Sequence, residues 1–460
     1  MSFLLGSANS ARGGYEVSNS IRVERSDSPK LSKTQGTYTN TTNMTLSLWY
    51  KIGAEVDMGF LSKFVDSENR FHLRIMAAGH LLGYNNIAST QFYKTTTAAL
   101  RDPSAWYHIV FAIDTTDATA ADRYKVYVNG TRLTDFVNDQ NPAENEALKL
   151  SSVTNQPIKV FCSNDEDAYL SGYVADYNYI DGTTLDPTYF AETDADTGIW
   201  IPKSYTGGHG TNGFKLEFKQ TGTSANASGI GADTSGNNHH LTVANLAAID
   251  INTDTPTNNF ATLNLISKFL ACLITEGNLL YDSNSTGGSA AVSNIAPAKG
   301  KWYVEVLAVT STIHIGVSEV GLINFNEKGQ GASRPNINYA YGGGVSIDEG
   351  TADSEASYDA DDIIGILLNL DDGEVIFQKN GTSVNSGTAY NLHANTTHGN
   401  TGFSVQTATG SGNTKASFNF GNPAFAISSS NADANGYGNF EFAVPSGYYA
   451  LCTKNLAEYG

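Results

Sequence analysis

The chain has 460 residues, which is enough for two to four domains of ordinary size. Its 27 Lys and Arg residues face 46 Asp and Glu residues, so the formal net charge is −19. Such a surface repels phosphate backbones and anionic lipid, which argues against nucleic-acid partners and membrane insertion. Only 16% of residues are charged, whereas Gly (45) and Tyr (24) are abundant. Because Tyr suits pleated sheets and Gly suits turns, we predict an all-β protein.

The first strong strand pattern is NMTLSLWYKIG, beginning at residue 43. Strict alternation of side chains along a strand places Leu46, Leu48 and Tyr50 on one face and Trp49 on the other. AWYHIVFAID alternates in the same way. We expect both segments to lie in a sheet, with Trp49 in a core.

A hairpin signal occurs twice, in RYKVYVNG and in GEVIFQKNG. Each strand ends on an Asn-Gly pair, at 129–130 and at 380–381. Asn-Gly favours the type I′ turn, whose twist matches that of the flanking strands. The repeat therefore predicts two antiparallel domains of related architecture, and it does not mark a catalytic motif.

The elements LSLWYKI, WYHIVFAID, YKVYVNG and SGYVADYNYIDGTTLDPTYF follow one another between residues 15 and 200. In this order they resemble the concanavalin A-like jelly-roll sandwich of the laminin-G and pentraxin type. We assign residues 15–245 to this domain, with GFKLEFKQ and HHLTVANL as further strands. Within it, Asp186 and Pro187 are predicted to begin a short helix, as N-cap and first residue.

Residues 246–278 have few periodic positions and several turn formers, so we predict a connector. Its most apolar stretch, FATLNLISKFLACLI, has 15 residues and contains Lys268, which makes it too short for a membrane span of about 20 residues. The N-terminal segment lacks the basic region of a signal peptide, and three cysteines cannot all pair, so we expect assembly in a reducing compartment.

Residues 279–460 contain GKWYVEVLAV, STIHIGVS, DIIGILLNLDDGEVIFQKNG, GFSVQTATG and KASFNFGNPAF. This succession resembles the SPRY (B30.2-like) sandwich, and Trp302 is predicted to lie in its core. The fold class is therefore two antiparallel β-sandwich domains in tandem.

The tandem resembles a family of tailed-phage virion proteins, called tail fibre or head fibre proteins. The resemblance implies a protein displayed on the virion surface, assembled in the host cytoplasm, with other virion proteins and a host-surface glycan as partners. It also implies several copies on the particle or a homo-oligomer. No coiled-coil or β-helical shaft is visible, and residues 1–14 are the predicted docking peptide.

No nucleophile elbow, zinc-protease signature or phosphate loop occurs in the sequence. The acidic run Asp165, Glu166 and Asp167 is interpreted as a solvated turn, with a catalytic or Ca²⁺-binding cluster as the alternative. His239 and His240, expected on a strand, should point to opposite faces and not share a metal. We predict no enzyme activity, no metal and no cofactor.

Sugars are usually held by aromatic faces together with a few carboxylates or amides. In NINYAYGGGVSIDEG, Tyr339, Tyr341 and Asp348 adjoin a Gly-rich turn, and loops form the usual ligand surface of the SPRY family. These three residues are the candidate binding site. The alternative is that the tyrosines are strand aromatics packed on a neighbour.

The favoured hypothesis is a tail-associated, fibre-like adhesin that binds host glycan without cleaving it. A capsid decoration or head-fibre protein is the alternative, and a polysaccharide depolymerase is a third possibility.

Overall fold

The computed structural model describes residues 4–5, 14–54, 56–88, 90–163, 166–269, 272–284, 289–320, 336–347, 350–392, 402–409 and 413–460. The chain divides into an N-terminal unit, residues 11–257, and a C-terminal unit, residues 258–460 with residues 1–10. Strands account for almost all of the regular structure, which confirms the predicted all-β class. Strands are numbered in chain order, and β1 (Leu4–Leu5) belongs to the C-terminal unit.

The N-terminal unit contains eighteen strands among its described residues, one short α-helix, α1 (Lys149–Ser152), and five single-turn 3₁₀ helices. The strands are β2 (Ser20–Val23), β3 (Lys30–Thr34), β4 (Asn43–Ile52), β5 (Met58–Asp66), β6 (Asn69–Ile75), β7 (His80–Ile87), β8 (Thr90–Ala99), β9 (Trp106–Asp114), β10 (Tyr124–Val128), β11 (Thr131–Leu133), β12 (Phe136–Gln140), β13 (Pro157–Val160), β14 (Gly172–Asp181), β15 (Ala191–Thr193), β16 (Trp200–Pro202), β17 (Phe214–Leu216), β18 (Thr242–Ala244) and β19 (Ile251–Asn252). The 3₁₀ helices are Arg25–Asp27, Ala77–Gly79, Ala120–Asp122, Pro187–Tyr189 and Ala248–Asp250.

Two eight-stranded antiparallel sheets form the sandwich of this unit, and β15 pairs with β16 in a separate two-stranded sheet. Sheet A has the order β11-β10-β9-β4-β14-β2-β19, and β17 also pairs with β14. Sheet B has the order β12-β8-β7-β6-β5-β13-β3-β18. Aromatic rings join the two sheets: Tyr50 meets Phe60 at 5.2 Å between centroids, and Tyr124 meets Phe92 at 5.6 Å. The unit is therefore a sandwich with its main core between sheets A and B.

The alternation predicted for β4 is observed. Leu46, Leu48 and Tyr50 have no exposed surface. Trp49 points to the outer face of sheet A, where it packs in a second cluster that includes Trp106 and Tyr173. Sheet A is thus buried on both faces along β4, and nine of the ten residues of this strand are buried, polar side chains such as Thr45, Ser47 and Lys51 included.

Both Asn-Gly hairpins have the predicted geometry. Asn129 and Gly130 have φ of 47° and 79°, and Val128 pairs directly with Thr131. Asn380 and Gly381 have φ of 48° and 76° and join the two strands of the second hairpin. Positive φ at both central residues defines the type I′ turn.

The helix predicted after Asp186 is a single 3₁₀ turn, Pro187–Tyr189. The Asp186 carboxylate accepts a hydrogen bond of 2.8 Å from the backbone N–H of Thr188. The expected N-cap and first residue are therefore confirmed, and the helix is shorter than predicted.

The C-terminal unit has eighteen strands among its described residues, β1 included, a 3₁₀ turn at Asn385–Gly387 and the helix α2 (Thr453–Tyr459). The other strands are β20 (Leu263–Phe269), β21 (Leu273–Thr275), β22 (Leu280–Asp282), β23 (Ser289–Ser293), β24 (Ile295–Ala296), β25 (Lys301–Ala308), β26 (His314–Glu319), β27 (Asn336–Ala340), β28 (Gly344–Ile347), β29 (Gly350–Ser354), β30 (Ile363–Asn369), β31 (Glu374–Lys379), β32 (Thr382–Ser383), β33 (Tyr390–Asn391), β34 (Phe403–Thr409), β35 (Lys415–Asn419) and β36 (Tyr449–Ala450).

This unit is also built from two sheets. Sheet C has the order β20-β23-β34-β26-β27-β28-β29. Sheet D has the order β21-β22-β35-β25-β30-β31-β32, with β33 paired to β31 and β36 paired to β25. Trp302 has no exposed surface and belongs to the core cluster, as predicted. Together the two units are sandwiches of antiparallel sheets, in agreement with the predicted fold class.

The residues predicted as a connector, 246–278, are divided between the units. β19 pairs with β2 in sheet A, whereas β20 and β21 form edge strands of sheets C and D. The strands in this segment are short and turn residues separate them, so the hydrophobic periodicity of the sequence did not indicate these pairings. The predicted docking peptide, residues 1–14, lies mostly outside the described residues; Leu4–Leu5 pairs in parallel with β24.

The cysteines Cys162, Cys272 and Cys452 are all buried as free thiols, and burial raises the pKa of each. Among the residues that the structure describes, no helix is long and apolar enough to cross a membrane.

Candidate functional site

Tyr339 lies in the core of the C-terminal unit. Its hydroxyl donates a hydrogen bond to the Ala356 carbonyl, and its ring packs against Tyr358 and Phe377 with centroids 5.0 and 5.6 Å away. Burial raises its pKa to about 12. The ring has no exposed surface on which a sugar could stack, so its predicted role in binding is corrected. The alternative, a strand aromatic packed on its neighbours, is the one observed.

Tyr341 is 39% exposed. Its backbone is held at both ends, because its N–H donates to the Ile313 carbonyl and its carbonyl accepts from Tyr358 N–H. The space around the Cα positions of Gly342 and Gly344 is open. Tyr341 therefore stays a candidate contact residue. Asp348, the third predicted site residue, lies outside the described residues.

Of the acidic run at 165–167, the structure describes Glu166 and Asp167, and Asp165 lies outside the described residues. Glu166 forms ion pairs with Lys30 at 2.7 Å and Lys159 at 3.0 Å, and these hydrogen bonds lower its pKa. His239 and His240 precede β18 and do not lie on a strand, contrary to prediction. His239 contacts the Thr211 carbonyl, and His240 Nδ1 accepts from the Asp233 N–H. Within the described ranges, no group of three or more metal-ligating side chains is found.

A cleft of about 110 Å³ lies in the N-terminal unit beside β17. Apolar and polar groups line it together, as is usual for a small-ligand site. Phe218 has a φ of 52°, a conformation that non-glycine residues rarely adopt. The lining residues are Glu217, Phe218, Lys219, Gln220, Ala227, Ile230, Ala232, Asp233 and Thr234.

A buried charge cluster adjoins this cleft. The Lys215 ammonium lies 3.2 Å from Asp176 Oδ1 and 3.4 Å from Glu217 Oε1, and it donates a hydrogen bond of 3.1 Å to the Tyr15 hydroxyl. Lys219 also pairs with Glu217 Oε1, at 3.2 Å. A second, water-sized recess lies beside Tyr15, Asp176 and Glu217. The charges of two carboxylates and two ammonium groups are thus balanced around the cleft.

Asp176 sits where the pairing of β14 with β4 shifts register between Ala175 and Asn178. Its φ is 42°, so a β-bulge and a strained backbone coincide at a buried charge. Bulges and strained residues are concentrated at functional sites in proteins. This coincidence, together with the adjacent cleft, makes residues 215–234 the candidate functional site.

Burial and ion pairing together determine the pKa shifts of this charge cluster. Burial raises the pKa of Asp176, and the Lys215 charge opposes that shift. Burial also disfavours the charged form of Lys215, but Asp176 and Tyr15 hold its pKa above the ordinary value. Burial alone would raise the pKa of Glu217, yet Lys215 and Lys219 lower it. The lysines therefore hold these carboxylates as ion-paired acceptors.

Ser47 and His108 form a serine–histidine contact of 2.9 Å through His108 Nε2. Trp200 Nε1 donates to His108 Nδ1 at 3.1 Å, so Nδ1 carries no proton and Nε2 donates to Ser47. A nucleophilic serine requires the reverse, with Nε2 as the acceptor. Burial also lowers the pKa of His108 to about 3, so the ring is a neutral structural donor.

Tyr15, Asp176, Lys215 and Glu217 were not among the residues predicted to form a site. A signal was present in GFKLEFKQ, where Lys215, Glu217 and Lys219 alternate with apolar residues and so share a face. The partner of that face could not be identified, because Asp176 and Tyr15 are distant in the sequence.

Residues 25–187 match a family model described as "Concanavalin A-like lectin/glucanases superfamily". The match lies within the N-terminal unit and covers less than half of the chain. No curated protein matches the chain significantly.

Solved structures similar to parts of the chain include the SPRY domain of human HERC1, at 16% identity and a TM-score of 0.29 over 34% of this chain and 96% of that chain. A native heptameric SAP-like pentraxin from Limulus polyphemus is 16% identical with a TM-score of 0.29, and the match covers 37% of this chain and 80% of that chain. The CBM40 of a Ruminococcus gnavus IT-sialidase, bound to α2,3-sialyllactose, is 15% identical with a TM-score of 0.27, and the match covers 38% of this chain and 96% of that chain.

Proposed function

We propose that this protein binds glycan without cleaving it, as a surface protein of a phage virion. The observation that carries glycan binding is the match of residues 25–187 to a superfamily of lectins and glucanases. Tail-associated, fibre-like adhesin is the specific role proposed, with host-surface glycan as the ligand.

The cleft at residues 217–234 supports a binding function. Phe218, Ile230 and Ala232 form apolar walls and are themselves almost fully buried, and Gln220 and Thr234 supply polar groups. Sugars present both apolar faces and hydroxyl groups, so a mixed lining suits one sugar residue of a longer chain. A volume of about 110 Å³ limits the occupant to a part of a glycan.

The charge cluster supports binding without catalysis. Glycoside hydrolysis requires two carboxyl groups on opposite sides of the scissile bond, one of which acts as an acid. Asp176 and Glu217 both contact the single ammonium of Lys215, which occupies the space between them. An ion-paired carboxylate is a poor proton donor, so the arrangement favours recognition.

The placement on a virion rests on the tandem order of the two domain types described above. It includes contacts with other virion proteins, a homo-oligomer or several copies on the particle, and assembly in the host cytoplasm. Because single sugar contacts are weak, several copies would raise the effective concentration and strengthen attachment. No cofactor, nucleic acid or membrane insertion is part of this proposal.

The test of the cleft is an array of bacterial surface polysaccharides probed with wild-type protein and two variants. Ala227→Trp places an indole in the cleft, whereas Ala225→Trp adds the same group to the same exposed loop outside the lining. We expect loss of binding for Ala227→Trp alone. Equal binding by all three proteins would reject the cleft, and release of reducing ends would reject a purely binding function.

Position on the particle needs its own measurement. Antibodies against the chain should label virion tails in negative-stain images if the protein is an adhesin. Even labelling of heads would replace that role with capsid decoration or a head fibre.

A further inference from the structure

The outer face of sheet B carries an unusual set of side chains. Along β6, Phe71 and Leu73 point into the core, so the alternate residues Arg70, His72 and Arg74 point outward. This outer face, defined by Arg70, His72, Arg74, Tyr84 and Tyr93, is called the arginine–tyrosine face below. It includes two permanent cations in a chain whose formal net charge is −19.

Cross-strand pairing builds the centre of this face. His72 of β6 pairs with Tyr84 of β7, and Tyr84 pairs with Tyr93 of β8. The rings of His72 and Tyr84 stack at 4.8 Å, and Tyr93 meets Tyr84 edge-on at 5.8 Å. The Arg70 guanidinium lies over the Tyr84 ring, 5.1 Å from its centroid. Stacking on an aromatic ring holds a guanidinium in place and so reduces the entropy lost on binding.

The positive charges of Arg70 and Arg74 repel each other. The pKa of Arg74 is lowered by burial, and the positive charge of Arg70 contributes to the lowering. Arg74 forms an ion pair with Asp57 at 3.4 Å, and the charges of Asp57 and Asp167 partly offset the lowering of its pKa. Its Nε is buried and has no hydrogen-bond partner among the described residues. Positive charge is therefore concentrated at a half-buried part of the sheet.

A buried acceptor lies on the same face. Asn86 pairs with Arg70 across β6 and β7 and is 7% exposed. Its Nδ2 donates to the Ser67 carbonyl, whereas its Oδ1 has no partner within the described part of the chain. The buried Asn86 oxygen is not exposed to a ligand, so the groups that the face offers are guanidinium donors, which match acidic groups, and tyrosine hydroxyls, which match sugar hydroxyls.

We propose that the arginine–tyrosine face binds an anionic polysaccharide, one that carries carboxylate or sulfate groups on a hydroxyl-rich chain. This inference rests on the proposed glycan-binding function and adds a second contact surface, separate from the cleft, together with a ligand class. Charge complementarity selects the acidic partner. The tyrosine hydroxyls favour a saccharide over an acidic peptide, which has few hydroxyl groups to offer.

The arginines also suit an extended ligand. Arg70 and Arg74 are four residues apart on one strand, roughly 13 Å between Cα positions at about 3.3 Å per residue. A linear polymer that follows β6 can therefore meet both cations with different acidic groups.

The test uses two probes that differ only in charge, dextran sulfate and dextran, with the full-length protein at low and moderate salt. The variants are Arg70→Gln, Arg70→Lys and the control Arg132→Gln. Arg132 is partly exposed on β11 of sheet A, so the control removes the same charge elsewhere in the unit. Thermal unfolding of each variant shows whether its fold is intact.

We expect the wild type to bind dextran sulfate and not dextran, with affinity that falls as salt rises. Arg70→Gln should weaken binding about 5- to 10-fold, Arg70→Lys should weaken it less, and Arg132→Gln should leave it unchanged. Equal loss in Arg70→Gln and Arg132→Gln would overturn the site, because it would show attraction by overall charge only. Tighter binding of polyglutamate than of dextran sulfate would overturn the saccharide assignment.

The two proposals can fail separately. Binding of array glycans that Ala227→Trp abolishes, without any binding of dextran sulfate, would overturn the arginine–tyrosine face and leave the proposed function standing. Arg70-dependent binding of dextran sulfate, without recognition of any array glycan, would support the face and count against the cleft as the glycan site.

Discussion

Lys51 and Asp254 are 203 residues apart in the chain, yet their side chains form an ion pair of 2.7 Å with no exposed surface on either. Asp254 also accepts a hydrogen bond of 3.0 Å from Trp106 Nε1. Burial lowers the pKa of Lys51, and Asp254 opposes that effect. The pair joins the end of the N-terminal unit's chain to the central strand β4 of sheet A.

Asp254→Asn should therefore destabilise the N-terminal unit by about 3–5 kcal/mol, because it leaves a buried ammonium without its counter-charge. Chemical denaturation, monitored by tryptophan fluorescence, measures the free energy of unfolding of the variant and of the wild type. The matched control is Glu192→Gln, which breaks the exposed pair of Glu192 with Lys203 and should cost less than about 1 kcal/mol. Similar losses in the two variants would contradict a structural role for the buried pair.

His108 predicts a pH dependence of stability. Its pKa in the fold is about 3, below the ordinary value of 6.5, so the unfolded chain binds a proton that the folded chain rejects. This contribution is fully present above about pH 6.5 and declines as the pH falls towards 3. Between pH 7 and pH 5 the loss should be about 2 kcal/mol.

Thermal unfolding across this pH range, in wild type and in His108→Gln, isolates that contribution. The variant should be less stable at pH 7 but should show a flatter pH profile. His239→Gln, which removes a less buried histidine, should keep the wild-type slope. Parallel profiles for wild type and His108→Gln would refute the assignment.

The Asn129-Gly130 hairpin predicts a specific glycine requirement. Gly130 has a φ of 79°, and an added Cβ would lie 2.9 Å from the Trp200 ring. Gly130→Ala should cost about 1–2 kcal/mol, because the left-handed conformation is strained for alanine. Gly208→Ala is the control, since nothing lies within 4 Å of its added Cβ and its φ is not in the left-handed region. Equal melting temperatures of the two variants would be evidence against the type I′ turn.

Glu305 organises one side of the C-terminal unit. Its carboxylate accepts hydrogen bonds from the backbone N–H groups of Glu441 and Phe442, at 2.9 and 2.8 Å, and from the side chains of Tyr303 and Asn419. In Glu305→Gln an amide donor would face one of these donors, so we expect a loss of about 2–3 kcal/mol.

Limited proteolysis reports the local effect of this change. Cleavage near residues 441–442 should accelerate in Glu305→Gln and stay unchanged in Glu458→Gln, which alters an exposed glutamate in α2. A stability equal to that of wild type would show that the four hydrogen bonds contribute little.

Local patterns predicted the local structure well. Alternation in β4 correctly assigned Leu46, Leu48 and Tyr50 to one face, because a strand turns each successive side chain to the opposite side. The Asn-Gly turns were predictable for a similar reason, since few residue pairs tolerate positive φ twice in succession. The all-β class follows from many such short segments.

The alternation of side chains along a strand did not predict whether Tyr339 is buried. Its position on a strand was implied by the sequence, but alternation alone does not say which face of β27 meets the core. That choice depends on Tyr358 and Phe377, which lie on other segments of the chain. The boundary between the two units falls within the predicted connector, residues 246–278. The strands β19, β20 and β21 in it were not predicted for a related reason, because their partners lie in other segments of the chain.

The sequence by itself determined the class of fold, the hairpins and the excess of negative charge, because each depends on composition or on neighbouring residues. Only the tertiary structure decided where charge is buried and where a ligand can reach. Asp176 meets Lys215 across 39 residues, and Arg70 meets Tyr84 across a strand pair, through pairings that no local pattern encodes. Sites on a β-sandwich arise from such long-range pairings, since adjacent strands bring together residues that are distant in the chain.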